Sequence, residues 1–488
     1  MTYYLEEGNQ MLLQNILKYR FDGKAAVVDN DVEYSYATLY NDVAKAQQYL
    51  RTKEIDTAVF IGDSDYTQLV WQLASTFCGK TYVPLDFDIQ EERFTKILGQ
   101  LDSFEVFNIS KFFIQITEKY YTKLNLESLD VNEFLEIENQ SFSSQIQYIL
   151  FTSGSTGTPK GVKISLKNIH SFLKWMTSDV DFSKRVLSQA RFSFDMSVLS
   201  TLTTLASHGT IIFVPQQIVS RTNTLFRWLE ESHFDVWVST PSFLKIGLMN
   251  ERLFGNEHNI LFVMGGERLE KTLVQNVLSR NSYHKFINTY GPTETTVAVT
   301  EVLLNDKIIN TFPDVPIGSI SESIPFLNLD SSGELIVRGP QVGCGYISRF
   351  TSAYGTDNQG RFYKTGDLTS ISEFEEEKYI FFQGRMDDQI KLNGYRIELQ
   401  EIEKVSLNYP EISGVKALVN KDKLILFMVL KPSGKNFNEF SFKKWLKKII
   451  PQYMIPNRVV LLDRFPLNSH DKIDNSALKL IMLDGEKQ

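Results

Sequence analysis

Between residues 57 and 266, five short apolar runs, TAVFIG, TYVPLD, GTIIFVP, FDVWVST and NILFVMGG, are separated by stretches whose apolar residues recur at helical spacing. Runs this short read as strands buried on both faces rather than as helices. Alternated with amphipathic helices, they predict mostly parallel α/β sheets. The rhythm changes near residue 310. SSGELIVRGPQVGCGYI and KYIFFQGR are short strands punctuated by Gly and Pro, and predict a small β-barrel-like part over about 310–384. It changes again after GRMDD. IELQEIEKVSLNY reads as a helix, and GVKALVNKDKLILFMVL as two strands about a polar turn. A late helix carries Phe442, Trp445, Leu446, Ile449 and Ile450 on one face and Lys443, Lys444, Lys447 and Lys448 on the other. The expected architecture is α/β: a large N-terminal domain, residues 1–386, of two mostly parallel sheets plus the β-barrel-like part, and a smaller α+β domain, residues 387–488.

Several function classes are set aside by composition. A formal net charge of −8 gives no electrostatic reason for nucleic acid to be a partner. The start, MTYYLEEGNQ, lacks a cationic segment followed by an apolar one, and no apolar run approaches the ~18 residues that span a bilayer. A cytosolic location without membrane insertion is expected. Cys78 and Cys344 lie far apart and read as buried small residues, and the six histidines show no zinc spacing.

The segment YILFTSGSTGTPKGVKIS, residues 148–165, bears on chemistry. A Walker loop runs through Gly-Lys-Ser/Thr directly into a helix, whereas Lys160 here follows Pro159 and the next residues, GVKIS, are strand-like. A helix is expected only from near Ser165, where Ile169, Phe172, Leu173 and Met176 take up helical spacing. This predicts a strand, loop and strand. Gly154 and Gly157 allow close approach of backbone amides, Thr152, Ser153, Ser155 and Thr156 offer donors, and Lys160 offers charge. A polyphosphate loop and a Ser/Gly-rich surface turn both fit that composition.

The ordered TSGSTGTPKG resembles the phosphate loop of the adenylate-forming superfamily, which includes acyl-CoA synthetases, luciferases and nonribosomal-peptide adenylation domains. Further segments follow in that family's order along nearly the whole chain: NTYGPTETTVAVT (288–300), YKTGDL (363–368), GRMDDQIKLNGYRIEL (384–399), PQYMIP and PLNSHDKID. FSFDMSV and VWVSTPSF are most similar to D-alanine:D-alanyl carrier protein ligases of teichoic acid D-alanylation. That resemblance implies ATP and Mg2+ as cofactors, a small amino acid as substrate, and an acidic phosphopantetheinylated carrier protein, supplied in trans, as partner. IGDSDYT near Ser64 has some look of a phosphopantetheine site, but its place between a strand and a helix makes it a polar turn.

The resemblance also implies roles. Tyr290 stacks on adenine, Asn288 bonds its edge, Gly291 belongs to the same ATP-binding segment, Thr293 meets the α-phosphate and Glu294 holds Mg2+. Asp367 accepts the ribose hydroxyls and Arg385 donates to the sugar. Asp195 pairs with the substrate amine, with Gly265, Gly266 and Val299 lining the amino-acid pocket. Lys472 stabilises charge developing around the α-phosphorus. Asp387 is a hinge about which a mobile C-terminal domain presents Lys391, Gly394 and Arg396 to the thiol. Without the family, the GD and GR pairs are turns, Asp195 caps a helix, and Lys472 and the Lys443–Lys448 face are solvated.

Two departures stand out. D-alanine ligases typically carry Cys-Gly-Glu where this chain has Gly265-Gly266-Glu267, which is expected to widen the pocket and bring glycine, L-alanine and serine into contention. His470-Asp471 replaces the usual Asn-Gly before Lys472, placing a carboxylate that competes for its charge. A freestanding adenylation enzyme for another small amino acid, or a nucleotide-binding regulator without catalysis, are the alternatives.

Overall fold

The expected apolar runs are all strands, and side chains alternate between two buried layers along them. In the computed structural model, which describes residues 18–112, 114–129, 145–154, 157–255, 258–320, 327–347, 351–387, 389–392, 394–420, 422–432, 437–467 and 473–484, Ile211 and Phe213 enter one core cluster while Ile212 and Val214 enter another. Val236 and Val238 likewise oppose Trp237, and Val263 opposes Phe262 and Met264. Strands buried on both faces need this continuous apolar character, whereas a solvent-facing sheet would alternate.

The larger sheet has eight strands. In spatial order they are Thr300–Leu304, Lys285–Tyr290, Leu261–Met264, Val236–Ser239, Arg185–Ser188, Thr210–Phe213, Ala25–Asp29 and Val32–Ser35. The inner pairs are parallel, and the two outermost pairs are antiparallel. A six-stranded sheet runs Thr122–Lys123, Phe104–Asn108, Thr57–Gly62, Thr81–Asp86, Ile146–Thr152 and Lys160–Ser165. Helices Tyr36–Arg51, Tyr66–Phe77, Leu166–Asp179 and Met196–Ala206 share one buried cluster with residues of both sheets. The segment expected to be β-barrel-like is a six-stranded sheet of antiparallel pairs between Gly318 and Arg385.

Local signals start the helices where expected. Ser165 caps Leu166–Asp179 through a reciprocal box with Asn168, so the chain leaves the phosphate-loop segment as strand and turns helical only there. Asp65 caps Tyr66–Phe77, and Ser64 is buried in the turn before it.

Contacts divide the chain into two units: Met1–Asp88, Gln100–Phe151 and Gly161–Met386 form one, and Ile89–Gly99, Thr152–Lys160 and Asp387–Gln488 the other. The second unit contains the hairpin Gln389–Leu392/Tyr395–Glu398, the antiparallel pair Ile412–Asn420/Lys423–Leu430 with Arg458–Leu461 parallel beside it, and helices Leu399–Ser406, Glu439–Leu446 and Asn475–Asp484. Phe442, Leu446 and Ile450 are buried, with Trp445 and Ile449 packed against the same core. On the other face Lys444, Lys447 and Lys448 are exposed, while Lys443 bonds the Asn457 carbonyl at 3.0 Å and Glu439 at 2.8 Å.

Candidate active site

The strand Lys285–Tyr290 carries Asn288 and Tyr290 into the buried interior of the first unit. Asn288 Nδ2 donates to the Pro316 carbonyl at 2.8 Å, but its Oδ1 is buried and has no hydrogen-bond partner among the described residues. An unpaired buried acceptor costs about 1–3 kcal/mol, so a ligand N–H is the group that fits there. The Tyr290 hydroxyl donates to Asp367 Oδ2, and Arg385 pairs with Asp367 Oδ1. Register creates this cluster: Asp367 and Arg385 are direct cross-strand partners on Gly360–Phe374 and Glu377–Arg385. Burial, and then the neighbouring Asp367 carboxylate, hold the Tyr290 hydroxyl well above its ordinary pKa, so it stays a donor. Both Asp367 oxygens already accept one bond. A carboxylate has about four lone-pair sites, which leaves room for two sugar hydroxyls.

After Tyr290 the chain turns sharply. A Cβ on Gly291 would lie 2.6 Å from Ala298 Cα and 2.7 Å from the Val297 carbonyl oxygen, so only glycine fits this approach. Thr296 and Val297 adopt φ of 62° and 69°, a left-handed conformation that β-branched residues avoid. Strain of order 1–3 kcal/mol per residue persists only where the surroundings over-determine it. Here the Thr296 hydroxyl donates to the Gln341 carbonyl at 2.6 Å, and Val299, fully buried, donates its N–H to the Tyr290 carbonyl at 2.8 Å. The turn Thr293–Thr295 presents a half-buried Thr293 and a fully buried Glu294. Glu294 Oε1 accepts from the Tyr346 hydroxyl at 2.7 Å. Among the described residues no group of three or more His, Cys, Asp or Glu is placed to hold a metal. Mg2+ usually takes one or two carboxylates plus phosphate oxygens and water, so a lone Glu294 beside a nucleotide fits its chemistry.

Asp195 opens the helix Met196–Ala206, yet its side chain caps no amide of that helix, contrary to the capping alternative. Tyr148 lies within its electrostatic reach: burial, and then Asp195, raise the Tyr148 hydroxyl well above its ordinary pKa. That hydroxyl is buried without a hydrogen-bond partner among the described residues. Gly266 has φ 79°. Gly265 corrects the expectation of a wider pocket, because a Cβ there would meet Thr289 Oγ1 at 2.6 Å and Met196 Sδ at 3.1 Å. The space a larger residue would take is occupied by those two side chains.

The phosphate-loop residues belong to the second unit. Gly157 has φ 79° and closes a turn by donating to the Gly154 carbonyl at 2.8 Å, and a Cβ on Gly154 would lie 2.2 Å from the Thr158 carbonyl oxygen. Thr152 Oγ1 reaches the Lys160 carbonyl at 3.5 Å, and Ser153 Oγ donates to the Arg396 carbonyl at 2.7 Å. The Gly154 amide points at Glu401 Oε2 at 3.4 Å, and Lys160 Nζ lies 3.4 Å from Glu398 Oε1. An amide and an ammonium expected to meet phosphate therefore face carboxylates in this arrangement. Gly394 turns the Gln389–Glu398 hairpin with φ 82°, between Lys391 and Arg396, which pair across it, and Asp387 Oδ1 accepts from the Gln389 amide at 3.2 Å. Ser155, Thr156, His470, Asp471 and Lys472 lie outside the described residues.

Tyr346, Tyr148, Met196, Thr289, Glu398 and Glu401 were not foreseen as site residues. Most sit in segments noted for other reasons, Tyr346 in GCGYI as part of a strand and Glu398 within GYRIEL, and their partners lie far away in the chain.

A family profile described as AMP-binding enzyme matches residues 17–347. The chain is 34% identical over 473 residues to a protein of Listeria monocytogenes named D-alanine--D-alanyl carrier protein ligase, covering 88% of this chain and 89% of the relative. Proteins of the same name from Staphylococcus haemolyticus and Lacticaseibacillus casei are 32% and 30% identical, the matches spanning 95% and 94% of those relatives and 93% and 91% of this chain. Among solved structures, the Vibrio cholerae adenylation domain AlmE in complex with glycyl-adenosine-5'-phosphate superposes with a TM-score of 0.77 at 20% identity, covering 98% of each chain. A protein described as an NRPS protein containing adenylation and PCP domains superposes with a TM-score of 0.80 at 20% identity, covering 96% of this chain and 83% of that one.

Proposed function

Because the chain belongs to the AMP-binding enzyme family of adenylate-forming enzymes, we propose that it activates a small amino acid, D-alanine foremost, and passes it to the phosphopantetheine thiol of a separate, acidic carrier protein. The substrate carboxylate attacks the α-phosphorus of ATP, releasing pyrophosphate and forming an aminoacyl adenylate. The carrier thiol then displaces AMP, giving a thioester. The relatives named for this reaction, at up to 34% identity across most of both chains, support the reading.

The observation that carries it is the buried Asn288 Oδ1, which has no hydrogen-bond partner among the described residues and suits a ligand N–H on the strand that also aims Tyr290 at Asp367. Asp195, at the head of the buried helix Met196–Ala206, would pair with the α-amino group of a small zwitterion. Asn288, Gly291 and Tyr290 hold the adenine end, Asp367 and Arg385 the ribose, and Thr293 the α-phosphate side. Thr152, Ser153, Gly154, Ser155, Thr156, Gly157 and Lys160 hold the outer phosphates. Gly265, Gly266 and Val299 border the amino acid. Glu294 would hold Mg2+, which when bound neutralises charge on the phosphate oxygens. Lys472 adds an ammonium to the same charge, Asp387 is the hinge, and Lys391, Gly394 and Arg396 serve the thioester step. An ATP-dependent reaction of this kind belongs in the cytoplasm, and its product fits D-alanylation of an envelope polymer such as teichoic acid.

A second reading keeps the chemistry and changes the amino acid, since the place where the D-alanine ligases typically carry cysteine is lined here by Met196 and Thr289 around Gly265 and so differs in shape rather than in room. Amino-acid-dependent ATP–pyrophosphate exchange across D-alanine, L-alanine, glycine and serine decides between them. D-alanine is expected to give the fastest exchange, Asp195→Ala to abolish it, and Lys472→Ala to slow it by about 10²-fold or more. ATP binding without exchange for any small amino acid would instead make the chain a nucleotide-binding regulator, and unchanged exchange in the Lys472 variant would remove the catalytic assignment.

A further inference from the structure

One short segment grips Glu294 at both its main chain and its side chain. Gly343 N–H donates to the Glu294 carbonyl at 2.8 Å, and three residues on, the Tyr346 hydroxyl donates to Glu294 Oε1 at 2.7 Å. Glu294 is fully buried, where a carboxylate requires donors, and 2.7 Å is within the short range of O–H···O⁻ bonds. The segment itself is not free to shift. Cys344 N–H donates to the Lys163 carbonyl at 2.7 Å, Lys163 N–H to the Gly345 carbonyl at 2.9 Å, and Ile347 N–H to the Gly161 carbonyl at 3.0 Å, while Tyr346 and Val162 form an antiparallel bridge. The Tyr346 ring meets Tyr354 edge-on with centroids 5.5 Å apart, and the Tyr363 hydroxyl lies 3.4 Å from its own. The Tyr354 hydroxyl donates to the Glu294 main-chain carbonyl, at 3.3 Å.

We propose that Tyr346 is a positioning residue for the metal-holding carboxylate: its clamped phenol fixes the orientation in which Glu294 receives Mg2+. Partners that hydrogen-bond a metal ligand typically change metal affinity or activity by about 10- to 100-fold when removed. The proposal rests on the reading of Glu294 as the magnesium ligand. It also ties that carboxylate to Gly161–Lys163, immediately after Lys160 in the chain.

Binding of α,β-methylene-ATP is titrated against Mg2+, and binding of AMP is measured without metal, both by calorimetry on the full chain. Tyr346→Phe is expected to raise the Mg2+ concentration needed for analogue binding by about 10- to 100-fold and to leave metal-free AMP binding unchanged. Tyr354→Phe should leave both unchanged, and Tyr346→Phe should add nothing in a Glu294→Ala background. If Tyr346→Phe cannot be purified folded, Tyr363→Phe is expected to shift the Mg2+ requirement in the same direction by about two- to threefold, since it removes a neighbour one step further out. Equal weakening of analogue and AMP by Tyr346→Phe, an unchanged Mg2+ requirement, or a further loss in the Glu294→Ala background overturns the proposal. A Glu294→Ala variant with unchanged Mg2+ dependence overturns the parent reading; an effective Glu294→Ala with a silent Tyr346→Phe overturns the positioning role alone.

Discussion

Replacing Gly265 by cysteine, the residue typical of D-alanine ligases at this place, should destabilise this chain. The added Cβ would stand 2.6 Å from Thr289 Oγ1 and 3.1 Å from Met196 Sδ. Gly265 is absent from the positive-φ glycines, so the cost is one of space. Met196 can yield, because an unbranched thioether readily finds another rotamer. Thr289 cannot do so cheaply. It is 4% exposed, and its hydroxyl donates to the Met264 carbonyl at 2.9 Å, a bond worth about 0.5–1.5 kcal/mol. Overpacking of this kind costs about 1–3 kcal/mol, so ligand-free Gly265→Cys should unfold at a lower urea concentration than the parent. Thr289→Ala removes the nearer obstacle, and the double variant should be more stable than the sum of the two singles by about 1 kcal/mol, within the range for residues in contact. Exchange rates with D-alanine and glycine on the same proteins report selectivity, whose ratio should move by no more than about 200-fold for a group of this size. A Gly265→Cys protein as stable as the parent, with additive singles, would show that Met196 and Thr289 do not fill the space.

Two further outcomes follow from single residues. Ser165→Ala removes the capping box that starts Leu166–Asp179 and should cost about 1 kcal/mol, measured by urea unfolding, whereas Ser165→Asp should retain most of the stability. Burial, and then Asp179, push the Glu301 carboxyl up to about 7 from an ordinary 4.5. A raised folded-state pKa means that the folded chain keeps a proton which the unfolded chain releases, so this contribution is full below about pH 4.5 and is lost as pH rises through 7. Thermal unfolding of Glu301→Gln should therefore approach that of the parent at pH 4 and exceed it at pH 8 by about 1 kcal/mol, which in a chain of this length is about 1 °C in Tm; a gap that narrows toward pH 8 would contradict this.

The strand positions, the late start of the helix at Ser165 and the buried face of Phe442, Leu446 and Ile450 were legible in the sequence. Each depends on neighbours within one or two turns: an apolar run bounded by turn residues, a serine three residues before an asparagine, a helical period. The order of the motifs likewise gave the family and the chemistry to look for. Contacts between distant segments were not legible. Tyr290 and Asp367 lie 77 residues apart and meet because strand register sets Asp367 opposite Arg385. Tyr346 reaches Glu294 across 52 residues because its segment bridges to Val162. A glycine at 265 suggested more room, but whether room exists depends on which side chains pack there, and Met196 and Thr289 arrive from another helix and another strand. Periodicity and capping act over a few residues and are written in the chain, whereas cross-strand pairing and the filling of space are settled only when remote segments compete for the same volume.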